Sequence, residues 1–368
     1  MNWVLLSIFF YCLVFFLLID HLIRVFAWLS EQKKKYPVTT SSFSVVIAAR
    51  NEAIQLPILI PALQQQKHVP DEIIIVLDRC TDDSLDIMKA FETKYANVST
   101  IVIDHIPDHF SPKKYALTLG IKKARNECVL LMDADCLPAT VEWSSHMSQK
   151  LELGIDFVLG VSPLLTPRTL LGKYISFETF TSSLYYITTS LLFNPVMAVG
   201  RNLAIRRSYF LSINGYNKFQ HINGGDDDLL IQHFASQANC AVSISPAAHT
   251  YSRSKSNLKD YLQQKHRHHA VNKHYKRSKK ISYIISWSAQ ISLWVSFVIL
   301  ATQHTVGFWP LLILLGYFLI KGSTYQLVSR SMDKGFSVYL LPIMELMHLF
   351  IIPAIVFGSR INKEVKWK

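Results

Sequence analysis

The chain has 368 residues, half of them hydrophobic and only 17% charged, with a formal net charge of +12. That is too apolar for disorder and too irregular for a fibrous repeat, and its charged share lies below the roughly one quarter typical of soluble domains. The basic excess stands beside long uncharged runs, which argues for a membrane protein with basic flanks and against a nucleic-acid binder.

Residues 3–19 are uncharged and rich in Leu, Phe, Val and Ile, and the run continues to Trp28 before Lys33, Lys34 and Lys35. With no charge ahead of it and no small-residue cleavage site behind it, the segment reads as one spanning helix over 1–30 rather than a signal peptide. The positive-inside rule then puts the amino terminus outside and the following polar part in the cytoplasm. There the apolar and polar runs alternate without a two-residue period. FSVVIAA (43–49) predicts a buried strand, 54–66 a helix despite Pro57 and Pro61, EIIIVL (72–77) a strand and 84–95 a helix. A strand at 100–103, a helix at 113–124 and the strand CVLLM (128–132) follow. Unalternating strands separated by helices indicate an α/β domain, Rossmann-like, with a mostly parallel sheet covered on both faces. Its expected span is 42–250, followed by a basic juxtamembrane segment over 251–280.

Residues 281–320 contain no Asp, Glu, Lys or Arg; as helix they would extend roughly 60 Å, twice the hydrocarbon thickness, so they must cross twice. Lys280 and Lys321 bracket the run and Thr302, Gln303 and His304 supply a polar turn. The last apolar run, 336–357, is interrupted by Pro342, Glu345 and Pro353 and flanked by Lys334 and Arg360. A single crossing would put Arg360, Lys363, Lys366 and Lys368 outside, so a re-entrant or interfacial segment competes with it. The reading is therefore one amino-terminal and two or three carboxyl-terminal membrane helices, the latter over 281–359, with a basic tail at 360–368.

Ligands of parallel sheets sit beyond the carboxyl ends of the strands. Arg50, Asn51 and Glu52 follow the first strand, Asp78 the second, and Asp133 and Asp135 the strand CVLLM. Asp133-Ala134-Asp135 offers two carboxylates to a hard divalent cation that also takes phosphate oxygens and water. Asp226, Asp227 and Asp228 crowd like charges, which raises some of their pKa values toward those of a useful base. Their bland reading is an exposed helix start after Gly224 and Gly225.

In order, VVIAARNEA (45–53), VLDRCTDDS (76–84), SPKKYAL (111–117), LLMDADCLP (130–138) and VGRNLAIRRSYFLSINGYN with GGDDDLL (199–217, 224–230) resemble motifs of the family 2 glycosyltransferases of the GT-A fold. The resemblance is to their membrane-embedded branch, which includes cellulose, chitin and hyaluronan synthases and ceramide glucosyltransferases. It implies a nucleotide-sugar site at Arg50, Glu52, Asp78, Lys113 and Asp133, and a metal, Mn²⁺ or Mg²⁺, on Asp135 and Asp133. It also implies Asp227 as general base with Asp226 beside it. QKHRH (264–268) resembles the branch's Q-x-x-R-W motif, which gives Gln264 and Arg267 to the diphosphate; His268 stands where Trp is usual, which speaks against processive polymerisation.

The expected activity is inverting transfer from a nucleotide-sugar, a UDP-sugar for preference, to a lipid-linked or glycan acceptor at a bacterial inner membrane. A processive polysaccharide synthase and an inactive membrane scaffold of the same fold are the alternatives. Asn202 is a candidate acceptor contact, against a reading as loop chemistry. His266, His268, His269 and His274 are interleaved with seven Lys and Arg, so they read as a solvated or lipid-facing surface touching anionic headgroups rather than a metal site. The five cysteines, Cys12, Cys80, Cys128, Cys136 and Cys240, lack C-x-x-C spacing, which signals neither disulfides nor zinc and suits a reducing compartment.

Overall fold

The computed structural model describes residues 3–36, 42–303, 306–332 and 337–361. Helix α1 (Trp3–Gln32) leads into β1 (Phe43–Ala49), α2 (Leu56–Gln64), β2 (Glu72–Asp78), α3 (Ser84–Lys94), β3 (Val98–Ile103), α4 (Pro112–Lys123) and β4 (Cys128–Leu131). Next come β5 (Cys136–Pro138), α5 (Trp143–Ser148), β6 (Phe157–Gly160), β7 (Leu164–Leu165), α6 (Leu170–Leu192), β8 (Leu203–Arg206), α7 (Arg207–Ser212) and α8 (Asp228–Phe234). The chain closes with β9 (Cys240–Ser243), β10 (Thr250–Arg253), α9 (Leu258–Ala270), α10 (Arg277–Ala301), α11 (Trp309–Ser331) and α12 (Leu341–Ile361).

The main sheet has the order β3-β2-β1-β4-β8-β6-β9, parallel from β3 to β4, with β8 antiparallel to both of its neighbours. Every residue of β1 and β2 is buried, because helices cover both faces. Val45 and Ile47 join the layer of α2 and α5, whereas Val46 and Val76 face α4. The approach of α4 to the sheet needs a glycine: a Cβ on Gly120 would lie 2.3 Å from Val46 Cγ1. A second sheet, β5-β10-β7, flanks the first. β10 runs across residue 250, so the folded domain continues past the boundary expected there.

The predicted elements appear with shifted ends. Helix α2 is shorter than 54–66 because 53–55 form a turn that closes on Glu52 O. The hairpin is α10 and α11, which with α1 and the stretch Val338–Ser359 are long and apolar enough to cross a membrane. Helix α12 runs unbroken through Pro353. It packs chiefly along α9, with Tyr174 Oη 3.1 Å from His348 Nδ1 and His266 against Gly358. Lys334, Phe336, His304 and the tail from Asn362 lie outside the described residues.

Two expectations about charges change. Lys321 does not mark a membrane edge; it is buried between α11 and α12, paired with Glu345 and 2.9 Å from Tyr317 Oη. An ammonium among apolar helices persists when a carboxylate shares its burial. Nor is α1 a mere tether. Arg24 Nη1 donates to Thr189 Oγ1 at 3.0 Å, Trp28 Nε1 to Ser331 Oγ at 2.8 Å, and Lys150 pairs with Glu31 at 3.1 Å. Helix α6 is the common support: Arg24 of α1, Tyr325 of α11 and His348 of α12 all pack on it.

Candidate active site

At the carboxyl ends of β1 and β2 the loops lock together. Asn51 and Arg79 both take positive φ (56° and 45°), which non-glycine residues adopt only when held. Asn51 Oδ1 accepts from Thr81 N at 2.8 Å, and Asp82 Oδ2 accepts from Ala53 N at 2.9 Å. Arg50 is half-buried and Glu52 buried in this rim. Asp78 is fully buried and clasped by Arg79, Nε to Oδ1 at 2.8 Å and Nη2 to Oδ2 at 3.1 Å.

The first turn of α4 supplies the centre. Lys113 Nζ lies 2.8 Å from Asp133 Oδ1 and 2.9 Å from Asp226 Oδ2. Burial works against its charge, but Asp133 and then Asp226 outweigh burial and hold the ammonium well above its usual pKa. Lys114 is fully buried and donates to the carbonyls of Ile222 (2.5 Å) and Gly224 (2.6 Å), fixing the loop ahead of the acidic run; burial pushes its pKa down to about 8. Gly224 and Gly225 make that loop at φ 82° and 67°, where a side chain would be strained.

The three aspartates have different surroundings. Asp226 is buried and, although burial opposes it, Lys113 holds its carboxyl below the usual range. Asp227 is half-buried, accepts from Gly200 N and Asp228 N at 2.7 Å each, and caps α8. Burial and then the charge of Asp226 push it up to about 6. Asp228 accepts from Tyr275 Oη and from Ala198 N, and burial with Asp227 beside it drives its pKa well up. The helix-start reading is thus true of Asp227, yet the cluster is folded inward and not solvated.

Asp135 is exposed and Asp133 half-buried at the end of β4. Among the described residues no group of three His, Cys, Asp or Glu side chains could hold an ion. Two carboxylates nonetheless fit Mg²⁺ or Mn²⁺, which keep water and take phosphate oxygens for the rest of their shell. Beside them, burial and then Asp133 drive the thiol of the buried Cys136 well above its usual pKa. Cys80 is half-buried against Ala49 O and Asn51 N.

Asn202 is held inside the fold. It is fully buried; Oδ1 accepts from Trp143 Nε1 at 3.0 Å and Nδ2 donates to Val161 O and Ala248 O at 2.8 Å. With its carboxamide saturated by three segments, it is a joint of the fold and offers nothing to an acceptor.

Gln264 and Arg267 are half-buried on α9, apart from the loops above. That helix is seated by Glu178 of α6, which takes Lys265 at 2.7 Å and Tyr261 Oη at 2.8 Å. The face expected to be solvated is therefore partly packed: Lys265 turns to α6 and His266 to α12, while His268 stays exposed. Glu178, Lys114, Tyr275 and Arg201 all escaped sequence reasoning: Glu178 and Tyr275 stand outside any motif, and Lys114 and Arg201 stand inside quoted ones with nothing local to set them apart from their neighbours.

Residues 44–212 match the model of glycosyl transferase family 2. Over that segment, which is under half of the chain, the protein is similar to the family 2 glycosyltransferases. It is 36% identical over 107 residues, 29% of this chain and 28% of the relative, to the 4,4'-diaponeurosporenoate glycosyltransferase of Staphylococcus haemolyticus. The chain thus matches less than a third of that relative's length. The mannosyltransferase PcManGT of Pyrobaculum calidifontis, solved with GDP-Man and Mn²⁺, superposes with a TM-score of 0.56 at 15% identity over 96% of this chain and 98% of that one. That likeness spans nearly the whole of both chains and gives the fold as GT-A-like. The family match stops at residue 212, so Asp226 and Asp227, which meet Lys113 and Gly200, lie beyond it, as does α9.

Proposed function

We propose that the protein transfers a sugar from a nucleoside diphosphate, a UDP-sugar for preference, to an acceptor presented at the membrane surface, with inversion at the anomeric carbon. The observation that supports this most is the Lys113 bridge, which gathers the Asp133 motif and the acidic run around one ammonium. The transferase unit in this reading extends from residue 42 beyond 250 to include α9.

Arg50, Glu52 and Asp78 border the nucleoside end of the crevice, and Lys113 with Asp133 its phosphate end. A divalent cation on Asp135 and Asp133 would supply neutralisation of the charge left on the departing diphosphate. Arg267 and Gln264 on α9 would serve the same oxygens once the donor is bound, an arginine fork being matched to them. Asp227, raised to about 6, accepts the acceptor's proton as its oxygen bonds to the anomeric carbon and the sugar–phosphate bond breaks. Asp226 keeps the negative charge beside it and is itself held by Lys113.

The relative's name supports an organic acid among the acceptors to be tried, beside lipid-linked and glycan acceptors. Basic residues after α1 favour a cytoplasmic catalytic face in contact with membrane lipids. The test is nucleotide release by detergent-purified protein from UDP- and GDP-sugars, with membrane lipid extract and with Mn²⁺, Mg²⁺ or chelator. Metal-dependent release that vanishes in Asp227→Asn is the expected result; a folded protein that binds no nucleotide would sink the proposal.

A further inference from the structure

Among the described residues, no carboxylate pairs with Arg201, which stands beside the acidic run. Gly200, immediately before it, donates its N–H to Asp227, and Asn202, immediately after it, is locked into the fold. Its own Nη1 donates to Ser252 Oγ at 2.8 Å, and Ser252 on β10 is paired in register with Cys136, the residue after Asp135. The guanidinium is thereby held between the acidic run and the proposed metal motif.

Three cations of the loops described above are already engaged. Lys113 has two carboxylates, Lys114 two carbonyls and Arg79 the carboxylate of Asp78. Arg201 is half-buried, and among the described residues it forms no ion pair. A guanidinium presents five N–H donors in a rigid fork, and the bond to Ser252 uses one of them. The remainder are available to anionic oxygens of a substrate, on a side chain that Ser252 already holds. Pinning β10 does not account for the residue, because a serine hydroxyl needs no cation to be satisfied.

We propose that Arg201 is a substrate-binding residue that takes a phosphate or carboxylate group. This rests on the transferase reading above. The group has two possible sources: the diphosphate of the donor, or an anionic group on the acceptor next to the attacking oxygen or including it.

Arg201→Gln and Arg201→Lys in the full chain separate these. Binding of UDP and GDP with Mn²⁺ is measured by calorimetry, and KM is measured for the donor, for a hydroxyl acceptor and for a carboxylate acceptor. We expect Arg201→Gln to weaken one anion by about 10- to 100-fold, the loss expected for a charge-assisted bond. Loss of nucleoside diphosphate affinity assigns the donor; loss confined to KM of the carboxylate acceptor assigns the acceptor. Arg201→Lys keeps the charge but not the fork, so it is expected to recover only part of the loss. It also serves if the glutamine variant fails to fold. Wild-type affinities and KM values in both variants would overturn the inference alone, whereas a wild-type protein without nucleotide binding or turnover would overturn the transferase reading and this inference with it.

Discussion

Lys113 and Asp226 meet at 2.9 Å across the crevice, and the same ammonium touches Asp133 at 2.8 Å. One side chain on the first turn of α4 thus sets the spacing between two acidic motifs that belong to different loops.

Replacing Lys113 by Met should leave two partly buried carboxylates facing each other without a cation. The expected loss is about 2–3 kcal/mol, because removing one partner strands the others. Adding Asp226→Asn should return part of it. Chemical unfolding in detergent measures both, and equal midpoints for wild type and Lys113→Met would show that the bridge contributes nothing.

The acidic limb of kcat/KM should report Asp227. A base must be deprotonated, so activity should rise with pH through an apparent pKa near 6. The charge of Asp226 is one cause of that raised value, so Asp226→Asn should move the limb to lower pH in whatever activity survives. A limb that stays in place, or moves upward, in a pH–rate profile would assign the proton to another group.

Asn202→Ala should behave as a folding defect. It orphans Trp143 Nε1 and the carbonyls of Val161 and Ala248, at a cost of about 2–4 kcal/mol. Thermal unfolding should drop while KM for the acceptor holds in the folded fraction. A stable variant with a raised acceptor KM would restore the contact role expected from sequence.

The seat of α9 makes a graded prediction. Lys265→Met strands the buried Glu178 and should raise the donor KM several-fold by releasing Gln264 and Arg267. Glu178→Gln keeps a partner for Tyr261 and should be milder, and the double variant should be milder than Lys265→Met. Additive effects of the two single changes on donor KM would mean that the pair does not act as a unit.

Helix α6 and the last turns of α1 show why some of the architecture was unreadable in one dimension. The run 3–19 and the stretch 281–320 declare membrane helices through hydropathy alone, and FSVVIAA and EIIIVL declare buried strands through missing alternation, because each property depends on neighbours in sequence. The aspartates at 133, 135 and 226–228 were visible for the same reason. Nothing local marks Trp28 for Ser331, Glu31 for Lys150 or Lys321 for Glu345, so a basic flank and a buried ion pair look alike until the partner is known.

The amino-acid sequence by itself determined the class of the fold, the order of its elements, the apolar helices and the acidic loops at the strand ends. Hydropathy and turn chemistry act over a few residues and survive without a fold. Tertiary structure decided which of the crowded aspartates pairs with Lys113 and which is pushed up to about 6, that Asn202 is spent on packing, and that Arg201, among the described residues, forms no ion pair. Ion pairing, desolvation and saturation of donors depend on groups that only chain folding brings within about 3 Å.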